Sequence, residues 1–195
     1  MILRPKFYEP VTSDRSAERK RLGLDPNLPT GLVLFGGEGS SAMLNIAKRV
    51  TVPTQFIFIC GRNQKLAQRL RQLETKFPKY VEGFTSEIPY YMHLSDFFIG
   101  KPGPGSISEA LAMHLPVIVE RNHWTLPQER YNTEWILEQQ AGVVLKSFQD
   151  IDAGLRQLLD PTNFDRFRDN ASAIKNRAVF EIPDILDSLL RQQSR

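Results

Sequence analysis

The sequence predicts an α/β fold in which helices cover both faces of a parallel sheet of about six strands. Short apolar runs, several of them ending at a glycine, alternate with segments of helical periodicity. The runs are almost continuously apolar, which is typical of strands that are buried on both faces. Strands that alternate with helices in this way form parallel sheets.

The first half of the sequence predicts three strands, each followed by a helix. Residues 14–22 favour a helix that ends at the Gly-Leu-Asp-Pro stretch. The predicted strands are residues 32–35, 56–60 and 80–84, and a short helix over 88–94 follows the third. Apolar residues at helical spacing predict the other two helices. They are Met43, Ile46, Ala47 and Val50 in the helix over 41–50, and Leu66, Leu70 and Leu73 in the next.

The second half predicts three more strands and a helical C-terminal segment. The strand over 96–100 leads into a loop of alternating proline and glycine and then a helix over 106–113. Strands over 116–120 and 143–145 flank a helix over 128–139. The sequence after Lys146 is helical throughout. Its last segment has one apolar stripe, formed by Ile182, Leu186 and Leu189.

The composition argues against several classes of protein. The net charge is +3 and the basic residues are scattered, which disfavours a nucleic-acid partner. The densest basic cluster, Arg19-Lys20-Arg21, indicates a solvated helix face. Cys60 is the single cysteine, so an intrachain disulfide is excluded and a reducing compartment is expected. The three histidines lie in separate segments, so neither a metal site nor a cofactor is predicted. Apolar runs are too short for a membrane-spanning helix, so any membrane contact should be peripheral.

The first candidate binding loop reads Gly-Gly-Glu-Gly-Ser-Ser at residues 36–41. Gly36, Gly37 and Gly39 leave room for a ligand near the backbone, and the following helix offers free N–H groups to an anion. The alternative interpretation is a tight strand-to-helix turn. The loop matches neither the dinucleotide-binding fingerprint nor the P-loop, which argues against a dehydrogenase and an ATPase.

The second candidate reads Lys-Pro-Gly-Pro-Gly-Ser-Ile-Ser-Glu-Ala at residues 101–110. The backbone N–H groups of Gly103, Gly105 and Ser106, together with the helix dipole, could hold a diphosphate. Glu109 would repel phosphate unless it points away or accepts hydrogen bonds from hydroxyls such as a ribose diol. The alternative is structural, because Ser106 and Glu109 have the spacing of a capping box.

The third candidate is the start of the predicted helix that follows residues 116–120. Gln128 and Asn132 are four residues apart and therefore share a helix face, where their amides suit sugar hydroxyls. Glu129 lies between them. The alternative is an ordinary solvated first turn, with an acidic residue near the positive end of the helix dipole.

Together and in this order, these motifs resemble the C-terminal domain of the GT-B glycosyltransferases grouped with monogalactosyldiacylglycerol synthase. A more distant likeness is to the peptidoglycan enzyme that adds N-acetylglucosamine to lipid I. The matching stretches are residues 31–39, Ile-Cys-Gly-Arg-Asn at 59–63, Glu-Gly-Phe at 82–84, residues 101–110, and Gln-Glu at 128–129 with Asn132. The 101–110 motif is the most specific, and Ile-Cys-Gly-Arg-Asn favours the galactolipid branch.

The resemblance implies a Rossmann-like domain that binds most of a UDP-sugar. In it Glu109 would hold the ribose hydroxyls, Gly105 and Ser106 the diphosphate, and the loop at Phe84 the uracil. Gln128 and Glu129 would contact the transferred sugar. The full set of nucleotide-sugar-binding residues that it implies is Gly36, Gly37, Gly39, Arg62, Phe84, Gly103, Gly105, Ser106, Glu109, Gln128, Glu129 and Asn132.

The implied function is transfer of a hexosyl group from a UDP-sugar to a lipid such as diacylglycerol, with inversion and without a metal. The expected location is cytoplasmic, with peripheral contact at the cytoplasmic membrane face. Two alternatives stay open. The chain could be a nucleotide-sugar-binding subunit that is active only with a separate acceptor-binding partner, or it could resemble a UDP-sugar epimerase.

Three segments are expected. Residues 1–22 form a connector and a helix, and residues 23–160 form the UDP-sugar-binding domain. Residues 161–195 form helices that pack back on this domain or toward an N-terminal acceptor-binding domain. The resemblance places the catalytic base on that N-terminal domain, to which no part of this sequence corresponds. The chain is therefore expected to be a fragment or to work with a partner subunit.

Overall fold

The computed structural model describes residues 2–193, whose core is a six-stranded sheet with every strand parallel. The strands follow in the order β3-β2-β1-β4-β5-β6. All six predicted strands are confirmed, with ends that differ from the prediction by one or two residues. They are β1 Thr30–Leu34, β2 Gln55–Ile59, β3 Lys79–Glu82, β4 Phe97–Gly100, β5 Val117–Glu120 and β6 Gly142–Leu145.

Helices connect the strands and then continue alone to the end of the described chain. The α-helices are α1 Arg15–Arg21, α2 Ala42–Arg49, α3 Gln64–Gln72, α4 Ile88–His93, α5 Pro104–Ala112, α6 Pro127–Glu138, α7 Ile151–Leu159, α8 Pro161–Ala173 and α9 Ala178–Gln193. Short 3₁₀ helices occur at Pro5–Phe7 and Phe148–Asp150. No helix among residues 2–193 combines the length and the apolar character needed to cross a membrane.

The two faces of the sheet carry separate apolar cores, because successive side chains of a strand point to opposite faces. On β1, Val33 joins the core covered by α2, α3 and α7, whereas Leu32 and Leu34 join the core covered by α4, α5 and α6. Strands β1, β2 and β4 are buried on both faces, which is why their sequences are almost entirely apolar. The edge strand β3 is mostly half-buried and includes Lys79 and Glu82.

The strand order creates a crevice between β1 and β4. These two strands are neighbours, with Leu34 opposite Gly100 at their carboxyl ends. The helix after β1 covers one face of the sheet and the helix after β4 covers the other. Open α/β sheets bind ligands at such a switch point, outside the carboxyl ends of the strands.

An ion-pair cluster fastens α1 to the opposite edge of the sheet. Asp96 accepts hydrogen bonds from Arg15 Nη2, from Arg19 Nη2 and from the Thr30 backbone N–H, each at 2.7 Å. Arg19 also donates from Nε to the Leu94 carbonyl oxygen at 2.8 Å, and only 5% of the residue is exposed. The expectation of a solvated Arg19-Lys20-Arg21 cluster is therefore wrong for Arg19, because its side of α1 packs against the Leu94–Asp96 segment.

The two C-terminal helices differ in how they pack. Phe167 and Ala171 of α8 are buried against the sheet domain. The predicted apolar stripe of α9 exists but is exposed. The exposed large apolar residues of α9 are Phe180, Ile182, Ile185, Leu186, Leu189 and Leu190. One edge-to-face contact, between Phe180 and Tyr8, joins the start of α9 to the N-terminal segment.

The Arg19 cluster gives a stability prediction. Arg19→Ala should lower the free energy of unfolding by at least about 1.5–3 kcal/mol, the range for losing a hydrogen bond to a charged group. The measurement is urea denaturation. Lys20→Ala is the matched control, because it removes the same charge from an exposed neighbour and should change stability by less than about 0.5 kcal/mol. Equal effects of the two substitutions would contradict the assigned role of Arg19.

Candidate functional site

The loops that follow β1, β4 and β5 meet at the crevice described above. They surround a cleft of about 350 Å³. Its walls include Phe35, Gly39, Ser40, Lys101, Pro102, Asn122, Trp124 and Glu129. Residues of all three predicted candidates, namely the loop after β1, the loop after β4 and the start of α6, therefore line one cleft.

The glycine-rich loop after β1 is held by the loop after β2. The Arg62 backbone N–H donates to the Gly37 carbonyl oxygen at 2.7 Å, and Asn63 Nδ2 donates to the Glu38 carbonyl oxygen at 3.2 Å. A Cβ atom at Gly61 would lie 2.0 Å from the same Gly37 oxygen, so only glycine permits this approach. The loop that contains Gly36, Gly37 and Gly39 is thus a supported surface at the mouth of the crevice.

The N-terminus of α5 presents unpaired backbone N–H groups at the switch point. Its N-cap is Gly103 and its first residue is Pro104, which has no N–H and whose fixed φ favours this position. The first backbone hydrogen bond of the helix runs from Ile107 to Gly103 at 3.2 Å. Among residues 2–193, the N–H groups of Gly103, Gly105 and Ser106 have no partner.

The predicted capping box is wrong. Ser106 lies in the first turn of α5 and makes no capping hydrogen bond, because the helix begins two residues before the predicted start. Glu109 is consequently free of any capping role. It lies on the same helix face as Gly105, four residues earlier, so a carboxylate and unpaired N–H groups share one surface.

The side chain of Glu109 is mostly buried, with 16% of it exposed, and it pairs with the N-terminal segment. Arg4 Nε donates to Glu109 Oε1 at 3.0 Å. Burial raises the pKa of the Glu109 carboxyl above its ordinary value, and the charge of Arg4 and its hydrogen bond reduce that rise. No local pattern in the sequence indicates this contact, because Arg4 and Glu109 are far apart in the chain.

Phe84 and Arg62 lie together at the ends of β3 and β2. The Arg62 guanidinium is 5.2 Å from the centre of the exposed Phe84 ring. Glu82 holds this loop by accepting hydrogen bonds from the Gly83 backbone at 2.8 Å and from Tyr91 Oη at 2.8 Å. Burial by itself would raise the pKa of the Glu82 carboxyl, but these hydrogen bonds bring it below its ordinary value.

The three predicted residues of α6 have different environments. Gln128 is exposed in the first turn. Glu129 lies in the cleft wall, with Lys101 Nζ 3.7 Å from its Oε1. Asn132 Nδ2 donates to the Pro102 carbonyl oxygen at 2.8 Å, so Asn132 braces the 101–105 loop with the amide nitrogen expected to contact a sugar.

Sequence reasoning missed an aromatic residue at the cleft. Trp124, in the loop between β5 and α6, is 79% exposed. The loop is fixed by Asn122, which accepts from the Trp124 backbone N–H at 2.9 Å, and by Thr125, which accepts from the Asn122 N–H at 2.9 Å. The signal available was an Asn-His-Trp-Thr stretch directly after a strand.

Metal-ligating residues do not gather in the described part of the chain. Residues 2–193 contain no group of three or more His, Cys, Asp or Glu side chains that could hold a metal ion. Cys60 is buried, and burial raises the pKa of its thiol to about 11, so it is not a reactive thiolate at neutral pH.

Residues 33–187 match the model of the glycosyltransferase family 28 C-terminal domain. The chain is 35% identical to the chloroplastic monogalactosyldiacylglycerol synthase of Spinacia oleracea over 204 residues, covering 98% of this chain and 38% of that protein. It is 32% identical to monogalactosyldiacylglycerol synthase 1 of Arabidopsis thaliana over 205 residues, with the same coverage of 98% and 38%. The chain thus spans less than half of these relatives.

Solved structures share the fold at low sequence identity. Acinetobacter baumannii MurG superposes with a TM-score of 0.68 at 14% identity, covering 90% of this chain and 53% of MurG. The S. aureus MnaA–UDP structure gives 0.67 at 13% identity, covering 93% and 50%. Anabaena HepE in complex with UDP-glucose gives 0.63 at 18% identity, covering 86% and 49%.

The expected fold is therefore confirmed. The all-parallel Rossmann-like sheet corresponds to half of a GT-B protein, and the family match covers the sheet and most of the helices around it. This chain belongs to glycosyltransferase family 28, of which it carries the C-terminal domain.

Proposed function

We propose that the chain binds a UDP-sugar along the carboxyl edge of its sheet, as the donor half of an inverting transferase. The complete reaction would move a hexosyl group onto a lipid acceptor such as diacylglycerol. The observation that carries the proposal is on α5, where the unpaired N–H groups of Gly103, Gly105 and Ser106 precede Glu109 by three to six residues. The names of the curated relatives and the nucleotides in the HepE and MnaA structures support it.

The proposed ligand lies across the ends of successive strands. Phe84, after β3, and Arg62, after β2, would contact the base. The loop after β1, with Gly36, Gly37 and Gly39, would face the diphosphate from one side of the crevice. The N-terminus of α5 would face it from the other, where free N–H groups and the helix dipole favour an anion.

Glu109 suits the ribose rather than the phosphates. A carboxylate is an acceptor-only group, and a vicinal diol offers two O–H donors. Because Glu109 lies three to six residues beyond the free N–H groups along the chain, it can meet the ribose while those groups meet the diphosphate. Helix α5 would thereby bind the nucleotide at two points, the diphosphate at its N-terminus and the ribose at Glu109.

The start of α6 would contact the transferred sugar. Gln128 is exposed and can donate and accept, while Glu129 is already directed into the cleft by Lys101. Asn132 would contribute by fixing Pro102, and any contact with the sugar would use its amide oxygen or its second amide N–H.

The chemical contribution of this chain would be stabilisation of the departing UDP. Backbone N–H groups fixed at a helix terminus stabilise developing negative charge without reorganising during the reaction. The acceptor site and the base that deprotonates the acceptor hydroxyl would belong to an N-terminal domain or to a partner subunit. The exposed apolar face of α9 supports such a contact, since large apolar patches mark interaction surfaces.

A lipid acceptor would require peripheral contact with a membrane. The proposed cytoplasmic face stays a prediction, because the curated relatives are named as chloroplastic proteins. No nucleic-acid partner is proposed.

Calorimetry with UDP, UDP-galactose, UDP-glucose and UDP-N-acetylglucosamine tests the function directly. We expect the 195-residue chain to bind UDP and at least one of the sugars, with ADP as the control nucleotide. We also expect no sugar transfer to diacylglycerol by this chain alone. Absence of UDP binding would overturn the proposal. Robust sugar transfer by this chain alone would contradict the assignment of the acceptor site and the base to another domain or subunit.

Glu109→Gln should weaken UDP binding by about 1.5–3 kcal/mol, the range for hydrogen bonds to a charged group. Isothermal titration measures the affinity, and a melting curve reports whether the fold is retained. Glu87→Gln is the matched control, because Glu87 also pairs with a cation of the N-terminal segment, Lys6, but is exposed. A similar loss of affinity in both variants would contradict the assignment of Glu109 to the ribose.

Gln128→Ala should leave the affinity for UDP unchanged and weaken UDP-sugar binding by about 0.5–1.5 kcal/mol for each neutral hydrogen bond lost. The reason is that Gln128 would touch the hexose and not the nucleotide. Gln139→Ala, at the other end of the same helix, serves as the control. If UDP and UDP-sugar lose affinity equally, Gln128 supports the nucleotide or the fold instead.

A further inference from the structure

The N-terminal segment, residues 3–7, packs against α5. Leu3 and Phe7 are both buried, and they belong to the same apolar core as Ile107 and Leu111 of α5. Between them, Pro5–Phe7 forms a 3₁₀ turn in which the Phe7 N–H donates to the Arg4 carbonyl oxygen at 3.0 Å. Arg4 is therefore held between two buried anchors.

The side chain of Arg4 is directed to one oxygen of Glu109. Its Nε lies 3.0 Å from Oε1, and its guanidinium lies 5.2 Å from the centre of the Phe7 ring. The second oxygen, Oε2, has no hydrogen-bond partner among residues 2–193. One half of the carboxylate is thus fixed by the chain, and the other half is open to a ligand.

Arg4 favours the ionised form of Glu109, which is the form that accepts hydrogen bonds at both oxygens. A mostly buried carboxyl favours its neutral form, in which one oxygen carries a proton and accepts poorly. Burial does raise the pKa of Glu109, and Arg4 is the charged group that opposes the rise.

No charged residue on the helix and strands that pack against α5 pairs with Glu109 in the described chain. Apart from the N-terminal segment, whose Lys6 pairs with Glu87, helix α5 packs mainly against β4, β5 and α8. The charged residues of these elements are Glu120, Asp165, Arg166, Arg168 and Asp169, and in the described chain none of them pairs with Glu109. The ion pair with Arg4 is the electrostatic support of the Glu109 carboxylate.

We propose that Arg4 is a positioning residue of the nucleotide site, which fixes Glu109 so that Oε2 accepts hydrogen bonds from the ribose diol. The inference rests on the proposed function, because it requires Glu109 to bind the ribose. Arg4 acts through Glu109 and does not itself need to touch the nucleotide.

The test compares UDP with 2′,3′-dideoxy-UDP, which keeps the diphosphate and lacks both ribose hydroxyls. Titrations use the 195-residue chain and its Arg4→Ala, Arg4→Lys and Glu109→Gln variants, with melting curves for each. Lys6→Ala is the matched control, since Lys6 is a neighbouring cation of the same segment and pairs with exposed Glu87.

Arg4→Ala should weaken UDP binding about three- to tenfold and leave the binding of the dideoxy analogue unchanged. Removing Arg4 lets the pKa of Glu109 rise further, so the loss should grow as the pH falls from about 8 to about 5, toward the range of an ordinary glutamate. Arg4→Lys, which keeps the positive charge, should restore the pH profile. Arg4→Ala should have no further effect when combined with Glu109→Gln, and Lys6→Ala should behave as the unmodified chain.

Three results would overturn the inference. Equal losses for UDP and the dideoxy analogue would mean that Arg4 contacts the diphosphate. Tighter UDP binding by Arg4→Ala would mean that the ion pair competes with the ribose. If Arg4→Ala leaves UDP binding unchanged while Glu109→Gln weakens it, Arg4 has no positioning role, and the proposed function is not affected. If the unmodified chain fails to bind UDP, the proposed function falls as well.

Discussion

The pairing of β1 with β4 is the constraint on which the rest of the site depends. All strands run in one direction, so their carboxyl ends share one edge, and the helices after β1 and β4 leave toward opposite faces. The two strands meet closely at this edge. A Cβ atom at Gly100 would lie 2.5 Å from the Leu34 carbonyl oxygen, so glycine is needed where the strand gives way to the binding loop. The crevice follows from the strand order and requires no further device.

The loops around the crevice are fixed mainly by hydrogen bonds to backbone atoms. Gly37 is bound by the Arg62 N–H, Pro102 by the Asn132 amide and Gly83 by the Glu82 carboxylate. Each of these contacts joins the loop to a different turn, a helix or the end of a strand. A site held in this way keeps its N–H groups oriented before a ligand arrives, which is the condition for strong electrostatic stabilisation of an anion.

Helix α5 combines two requirements that oppose each other. Its N-terminus favours an anion, while its next turn carries Glu109, which repels one. The conflict is reduced by distance along the helix and by Arg4, which comes from a separate segment and binds the carboxylate on the domain itself. Near the other end of the chain, α9 leaves its apolar face exposed. The described residues therefore bury the apolar side chains of α5 but not those of α9.

The strands could be found from their apolar runs, because most of them are buried on both faces. The three loops could be located because glycine and polar residues follow those strands. The motifs from residue 31 to residue 132 further indicated the family. Local rules failed where two of them competed, as at α5, where proline at the first position decided the start and the Ser106–Glu109 spacing did not. Four features could be seen only in the folded chain: the strand order, the burial of Arg19, the contact of Asn132 with Pro102 and the pairing of Arg4 with Glu109. Each of these depends on which distant segments pack together. The burial of a charged side chain and a long-range ion pair follow no local periodicity of the sequence, whereas the burial of apolar residues does.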